Sequence, residues 1–269
     1  VNAFNPLTLR LGLMGSAILA MALPAYADEA SDLAKKLSNP VAALISVPFQ
    51  LNYDHDIGAK KDGSKWLLNV QPVVPITLND EWNLISRTIL PIVSQRDVTA
   101  EGSSQSGLGD IVQSVFFSPK APTANGLIWG VGPVLLLPTG TDDKLSARKW
   151  GAGPTAVALK QDGRWTFGML GNHIWSFAGD NDRRDVNATF LQPFVSYTTP
   201  DAWTYSANTE STYDWKSERW SVPLNASVSK LTRFGNQPVS LGAGLRYWAS
   251  SPNGVGPEGL GFRLSMTFL

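Results

Sequence analysis

The sequence predicts an all-β protein: a transmembrane antiparallel up-and-down β-barrel of about 12 strands, preceded by a cleaved signal peptide and a short N-terminal helical segment. Three observations carry this: where the tryptophans fall, how the connections alternate in length, and an export signal with no second long apolar run. All ten tryptophans lie where a strand would begin or end. Trp82, Trp129, Trp165 and Trp203 each follow a short polar turn, while Trp66, Trp150, Trp175, Trp215, Trp220 and Trp248 border longer polar stretches. An amphipathic indole favours the headgroup level, so two rings at strand ends fit the two faces of a bilayer. Trp165 and Trp175 are ten residues apart with equal parity. That is ~33 Å of strand, rising ~25 Å at a ~40° tilt, the height of an outer-membrane apolar band. Trp203 and Trp215, twelve apart, give ~30 Å on the same reckoning. The expected interface aromatics are Trp82, Trp129, Trp165, Trp175, Trp203, Trp215, Trp220 and Trp248.

In chain order, residues 1–27 read as a secretory signal. Arg10 is its charged region, Leu11 to Leu23 its apolar run, and Pro24-Ala25-Tyr26-Ala27 an A-x-A cleavage site that leaves Asp28 first in the mature chain. The apolar run is too short for a comfortable membrane anchor. No other stretch approaches the ~20 apolar residues of a transmembrane helix, so a membrane-spanning mature chain must be a closed barrel. Residues 28–44 are the one helix-like segment, anchored by Leu33, Leu37 and Leu44 and interrupted at Asn39-Pro40. They are expected as a periplasmic helix or a plug, with the barrel over 45–269.

The barrel region breaks into strand-like runs at 45–54, 65–78, 81–95, 107–118, 126–138, 150–161, 164–177, 186–199, 202–214, 219–231, 237–249 and 259–269. Every second connection is short: Asn79-Asp80, 119–125, Asp162-Gly163, Pro200-Asp201 and 232–236. Asp-Gly is a hairpin signal because both central residues must tolerate positive φ. The other connections are longer and polar. Short turns on one side and long loops on the other form the outer-membrane pattern, and an even strand count returns both ends to the periplasm.

Alternation is clearest near the end of the chain. From Leu260 to Phe268 every second residue is apolar, with Gly261, Arg263, Ser265 and Thr267 between. Val239–Tyr247 and Trp203–Trp215 follow the same rule. Apolar residues facing out and polar residues facing in fit a watery lumen within lipid. A soluble sheet with one wet face gives the same local pattern, so a soluble periplasmic β-sandwich or lipocalin-like binder is an alternative. Between 65 and 138 the alternation does not fix in from out. Pro72, Pro75, Pro91, Pro133, Pro154, Pro193 and Pro223 fall within strand runs, where a residue without an N–H requires a bulge or a strand end.

Composition narrows the functional classes. The chain has no cysteine, which excludes a disulfide-stapled domain. Only Arg10 is charged before residue 28, so the mature chain carries 21 basic and 22 acidic residues. That near balance gives no reason to expect nucleic acid as a partner. Asp180-Asn181-Asp182 lacks the Gly and Glu of a calcium loop, and Gly140-Thr141-Asp142 lacks the end of a P-loop. No metal or cofactor is expected.

A channel needs charges at a constriction. The inward candidates are Arg87, Asp110, Asn208, Glu210, Arg219, Asn225, Arg246 and Arg263, with Glu210, Arg219, Arg246 and Arg263 forming a mixed-sign ladder. Mutual pairing that merely fills the barrel is the competing reading. A barrel-type lipid-modifying enzyme would need a base and a nucleophile on one lipid-facing wall. His55 lies in a loop, and the nearest serine to His173, Ser176, is on the opposite face of its strand.

Several runs carry a family resemblance: Asn39-Pro40-Val41-Ala42 continuing to Ile45-Ser46-Val47-Pro48-Phe49-Gln50, then Gly107-Leu108-Gly109-Asp110, then Leu137-Pro138-Thr139-Gly140-Thr141, and the closing strand. With these the chain resembles the bacterial outer-membrane β-barrel family labelled as transporters of the meta-pathway of phenol degradation. The resemblance implies a porin-like channel for passive uptake of small aromatic or other organic solutes. It also implies contact with outer-membrane lipid and with the outer-membrane assembly machinery. That machinery reads a terminal aromatic; here Phe268 is followed by Leu269.

Overall fold

The computed structural model describes residues 22–269. Fifteen β segments make twelve strands, because three strands are each interrupted once. They are β1 (Val47–Ile57), β2 (Gly63–Val70 and Val73–Thr77), β3 (Trp82–Arg96), β4 (Ser104–Leu108 and Ile111–Pro119), β5 (Leu127–Leu137) and β6 (Lys149–Asp162). The second half comprises β7 (Trp165–Gly179), β8 (Asn187–Thr198), β9 (Trp203–Thr209 and Ser211–Asp214), β10 (Arg219–Phe234), β11 (Gln237–Ser250) and β12 (Gly259–Phe268). Each strand pairs antiparallel with its neighbours in sequence. β12 returns to β1, with Val47 opposite Phe268 and Tyr53 opposite Phe262, so the sheet has no free edge. Closure is what lets strands stand in lipid, where an unpaired N–H or C=O costs several kcal/mol.

Short turns gather at one end of the barrel, each with its own local chemistry. The Asn79 side chain accepts from the N–H groups of Glu81 and Trp82, and Gly163 supplies the positive φ of the Asp-Gly hairpin. The prolines explain the interruptions. β2 breaks at Gln71-Pro72, where Pro72 cannot donate. β4 breaks and shifts register by one residue opposite Pro91, whose carbonyl still accepts from Gly109 N. β9 breaks at Glu210, which falls opposite Pro223 of β10, while its neighbour Thr209 falls opposite Pro193 of β8. Pro133 and Pro154 face each other across β5 and β6, so the missing donors coincide.

The outer wall is apolar. Phe167, Met169, Leu245 and Leu264 are large side chains left exposed there, as a lipid-facing surface requires. The inner wall is not uniformly polar. Ile85, Phe116, Val157, Leu159 and Leu170 point inward and form a buried cluster, and Val134, Leu136 and Ile174 form a second. Strands β2 to β5 thus carry apolar residues on both faces in places, which is why their sequence does not distinguish in from out.

The inner apolar cluster has a cover. Helix α1 (Ala22–Leu37) lies at the short-turn end, with Ala34 buried against Ala202 and Leu231 and with Leu33 and Leu37 packed around them. Ser31 Oγ donates to the Thr199 carbonyl at 3.0 Å and Lys35 Nζ to that of Gly163 at 2.6 Å. The helix ends before Asn39-Pro40, and the chain turns into the barrel, where Val41 joins Ile85, Phe116 and Leu170. The expected cleavage point after Ala27 falls within α1. Residues 1–21 of the expected signal lie outside the described residues.

Candidate functional site

The lumen holds the charged groups, and strand parity decides which they are. On β11, Arg246 and Trp248 point inward; on β12, Arg263 does. Each arginine lies opposite a glycine of the adjacent strand: Arg246 opposite Gly261 and Arg263 opposite Gly244. A Cβ at Gly261 would come within 2.3 Å of the Tyr53 carbonyl oxygen. A Cβ at Gly244 would likewise come within 2.5 Å of the Ala226 carbonyl oxygen, so both positions require glycine for close backbone approach.

A single carboxylate gathers both cations. Glu210 Oε2 is 2.8 Å from Arg263 Nη2 and 3.3 Å from Arg246 Nη1. Arg263 Nε donates to Asn52 Oδ1 at 2.7 Å. Asp54 Oδ1 lies 3.3 Å from Arg246 Nε and accepts from Trp248 Nε1 at 2.7 Å. Arg246 stacks over the Trp248 ring, 4.6 Å from its centroid. Lower on the same side, Asn225 Nδ2 donates to Asn208 Oδ1 at 2.8 Å. On the facing wall, Arg87 Nη2 donates to Gln71 Oε1 at 3.0 Å. Lys65, opposite Asp54 in register, completes the set. The lumen group is thus four cations, Lys65, Arg87, Arg246 and Arg263, against the two anions Asp54 and Glu210.

Three sequence expectations are corrected. Asp110 is a loop clasp rather than a constriction charge: its carboxylate accepts from Gly140 N at 3.0 Å, Ser146 Oγ at 2.7 Å and Ala147 N at 2.6 Å. The Gly107–Asp110 and Leu137–Thr141 runs are therefore partners in space, with Thr141 Oγ1 also accepting from Leu108 N. Trp248 is not an interface aromatic, since Asp54 and Arg246 hold its indole inside the barrel. Arg219 is exposed at the long-loop rim, opposite Asp214 and away from the constriction.

The other nine tryptophans face outward. Trp82 packs edge-on against Trp129 at 5.8 Å, and Trp165 and Trp203 stand at the same short-turn end. Trp66, Trp150, Trp175, Trp215 and Trp220 stand at the long-loop end. His173 sits among them, its ring 4.0 Å from that of Trp175. Its Nδ1 is 2.7 Å from Thr189 Oγ1 on the neighbouring strand, and that oxygen also accepts from Trp215 Nε1 at 2.8 Å. A hydroxyl does therefore reach His173, from another strand, which inspection of a single strand misses. Among the described residues, His173 Nε2 has no hydrogen-bond partner.

Beyond the spans, the Lys149 ammonium hydrogen-bonds Asp185 at 3.0 Å and holds its carboxyl below the usual carboxylate range. Glu258 likewise raises Lys61 by a hydrogen bond and its charge.

Asn52, Asp54, Lys65, Gln71 and the inward role of Trp248 were missed from sequence. The signal was present: Gln50, Asn52 and Asp54 alternate with Leu51 and Tyr53, and Trp248 shares the parity of Arg246.

A closed twelve-strand wall, apolar outside and girdled by aromatics, with charge gathered inside, defines a transmembrane β-barrel of the outer-membrane type. The chain belongs to the family described as "Putative MetA-pathway of phenol degradation", which matches residues 61–262. The crystal structure of an outer membrane channel from Pseudomonas putida F1 shares the fold, with a TM-score of 0.66 at 15% identity over 83% of this chain and 94% of that one. Outer membrane phospholipase A from Escherichia coli gives a TM-score of 0.49 at 12% identity over 83% and 92%. No curated protein matches in sequence.

Proposed function

We propose that the protein is a porin-like channel that passes small organic solutes passively across the outer membrane. The observation that carries this reading is a lumen holding two polar-lined cavities, of about 300 Å³ and 160 Å³, one above the other. Ser38, Asn39, Pro40, Ala42 and Leu44 line the lower one, so the N-terminal segment acts as a plug at the periplasmic mouth, after export on a signal of residues 1–27. The family description and the channel named among the fold relatives support the reading. Aromatic solutes fit the inward apolar cluster. Lipid bathes the outer wall, and the closing strand ending at Phe268 is offered to the assembly machinery.

The test is planar-bilayer conductance of residues 28–269 beside a version starting at residue 45. Discrete steps establish a pore, and larger steps in the shorter version establish the plug. Silence in both, from protein shown to be folded and inserted, means a filled barrel and overturns the proposal.

A further inference from the structure

Among the lumen arginines, Arg87 stands apart. Arg246 and Arg263 share Glu210, and Asp54 adds to Arg246. Among the described residues, no carboxylate stands within ion-pair distance of Arg87; its side-chain partner is the neutral Gln71. Arg87, Gln71 and Gln192 line both the 160 Å³ cavity and the 300 Å³ cavity below it, so the way from one to the other runs past this guanidinium.

The upper cavity has two chemically distinct sides. Gln50, Asn69 and Arg87 present polar groups, while Ile89, Leu170 and Phe190 present an apolar surface. Its volume is about that of five waters in the liquid, room for one ring-sized organic body with its charged group. Glu210 also reaches this cavity, but its charge is matched by the two arginines it binds. Of the two lumen cations without an ion pair among the described residues, Lys65 and Arg87, the one that lines this cavity is Arg87. A planar guanidinium offers two parallel N–H donors that match a carboxylate, and rings of basic residues select anions in pores.

We propose that Arg87 is the carboxylate-binding residue of the lumen, and that the channel favours small organic acids whose apolar body rests on Leu170 and Phe190. This deepens the channel reading and rests on it. Lipid-facing hydroxyls cannot serve this role, because the site lies within the barrel.

The experiment uses the full chain folded in detergent and three probes: benzoate, its uncharged counterpart benzamide, and acetate, which lacks the apolar body. Calorimetry reads binding, and bilayer recordings under a potassium chloride gradient read charge selectivity. Benzoate is expected to bind about tenfold or more tightly than benzamide, the worth of one charge-assisted hydrogen bond, and more tightly than acetate through burial of its ring. Arg87→Gln loses that margin and the chloride preference, and Arg87→Lys restores chloride preference without full benzoate affinity. Heat-modifiable gel migration checks that each variant is folded. Equal binding of benzamide, no binding of benzoate, a cation preference in the unaltered protein, or unchanged behaviour in Arg87→Gln each overturns the proposal. A silent bilayer with Arg87-dependent benzoate binding overturns the channel reading and leaves the site standing.

Discussion

Glu210 and Arg263 meet at 2.8 Å from strands that have two others between them in the barrel wall. Glu210 reaches that far from the point where β9 loses its ladder between Pro193 and Pro223. Removing one member of a buried charge group leaves the others uncompensated, a change of ~3–5 kcal/mol when water is excluded. Glu210→Gln is therefore expected to lower the unfolding temperature in detergent and to raise anion preference in bilayers, since Arg246 and Arg263 then lack their shared counter-charge. An unchanged melting curve would show that water in the lumen already screens the group.

Asp110 binds Gly140, Ser146 and Ala147 with one carboxylate. A hydrogen bond to a charged acceptor contributes ~1.5–3 kcal/mol, so Asp110→Ala should free the loop over 139–148 without unfolding the barrel. Limited trypsin digestion, read by mass spectrometry, should show faster cleavage after Lys144 and Arg148. Equal cleavage rates would mean that the strand-end bonds of Thr139 and Thr141 hold the loop unaided.

The sequence was legible where the physics is local. From β9 to β12 the lumen is wet and the lipid side dry, so period-two alternation shows both faces, and parity put Asn208, Glu210, Asn225, Arg246 and Arg263 on the inward side, though it also put Arg219 there, which stands at the rim. The same rule failed from β2 to β5 because Val41, far away in sequence, meets Ile85 and Phe116 inside the barrel and makes that inner wall apolar. Asp110 was misassigned for the same reason, as its partners lie about thirty residues away. Trp248 was misread because strand-end position suggested a girdle, while its parity, shared with Arg246, pointed inside.

Trp248 offers a direct check of that correction. Lipids brominated on their acyl chains quench indoles that touch the bilayer. Trp165→Phe, which removes an outward ring half exposed on the wall, should reduce the quenchable fraction of fluorescence. Trp248→Phe should reduce total fluorescence and leave the quenchable share at least as large. A fall in that share for Trp248→Phe would place its ring in lipid.

At the long-loop rim, Ser176 Oγ donates to Asp185 and accepts from Val186 N, and Lys149 holds the Asp185 carboxyl below its ordinary value. A depressed folded value means the stabilisation is present above the unfolded value of 3.8 and is lost as pH falls through the folded one. Protection of the Val186 amide from hydrogen exchange should thus persist from neutral pH down to the ordinary carboxylate range and collapse only below it. In Asp185→Asn the protection should be lower and independent of pH over that window.

Val41 ties the N-terminal segment to the lumen by burial among Ile85, Phe116 and Leu170, with Leu33, Leu37 and Ala34 fastening the helix outside. Burying a valine stabilises by ~1.5–3 kcal/mol, and an aspartate there would set an unpaired charge in an apolar cluster, which costs more than leaving the segment in water. The barrel ladder does not run through residue 41, so Val41→Asp should release the segment while the barrel stays folded. The expected result is larger or longer conductance steps than in the unaltered chain, with unchanged heat-modifiable migration. Val41→Ile, which keeps the contact, should conduct like the unaltered chain. Identical steps in Val41→Asp would mean that the segment does not obstruct the path, and solute would then have to pass beside it along the serine-lined wall of β10 to β12.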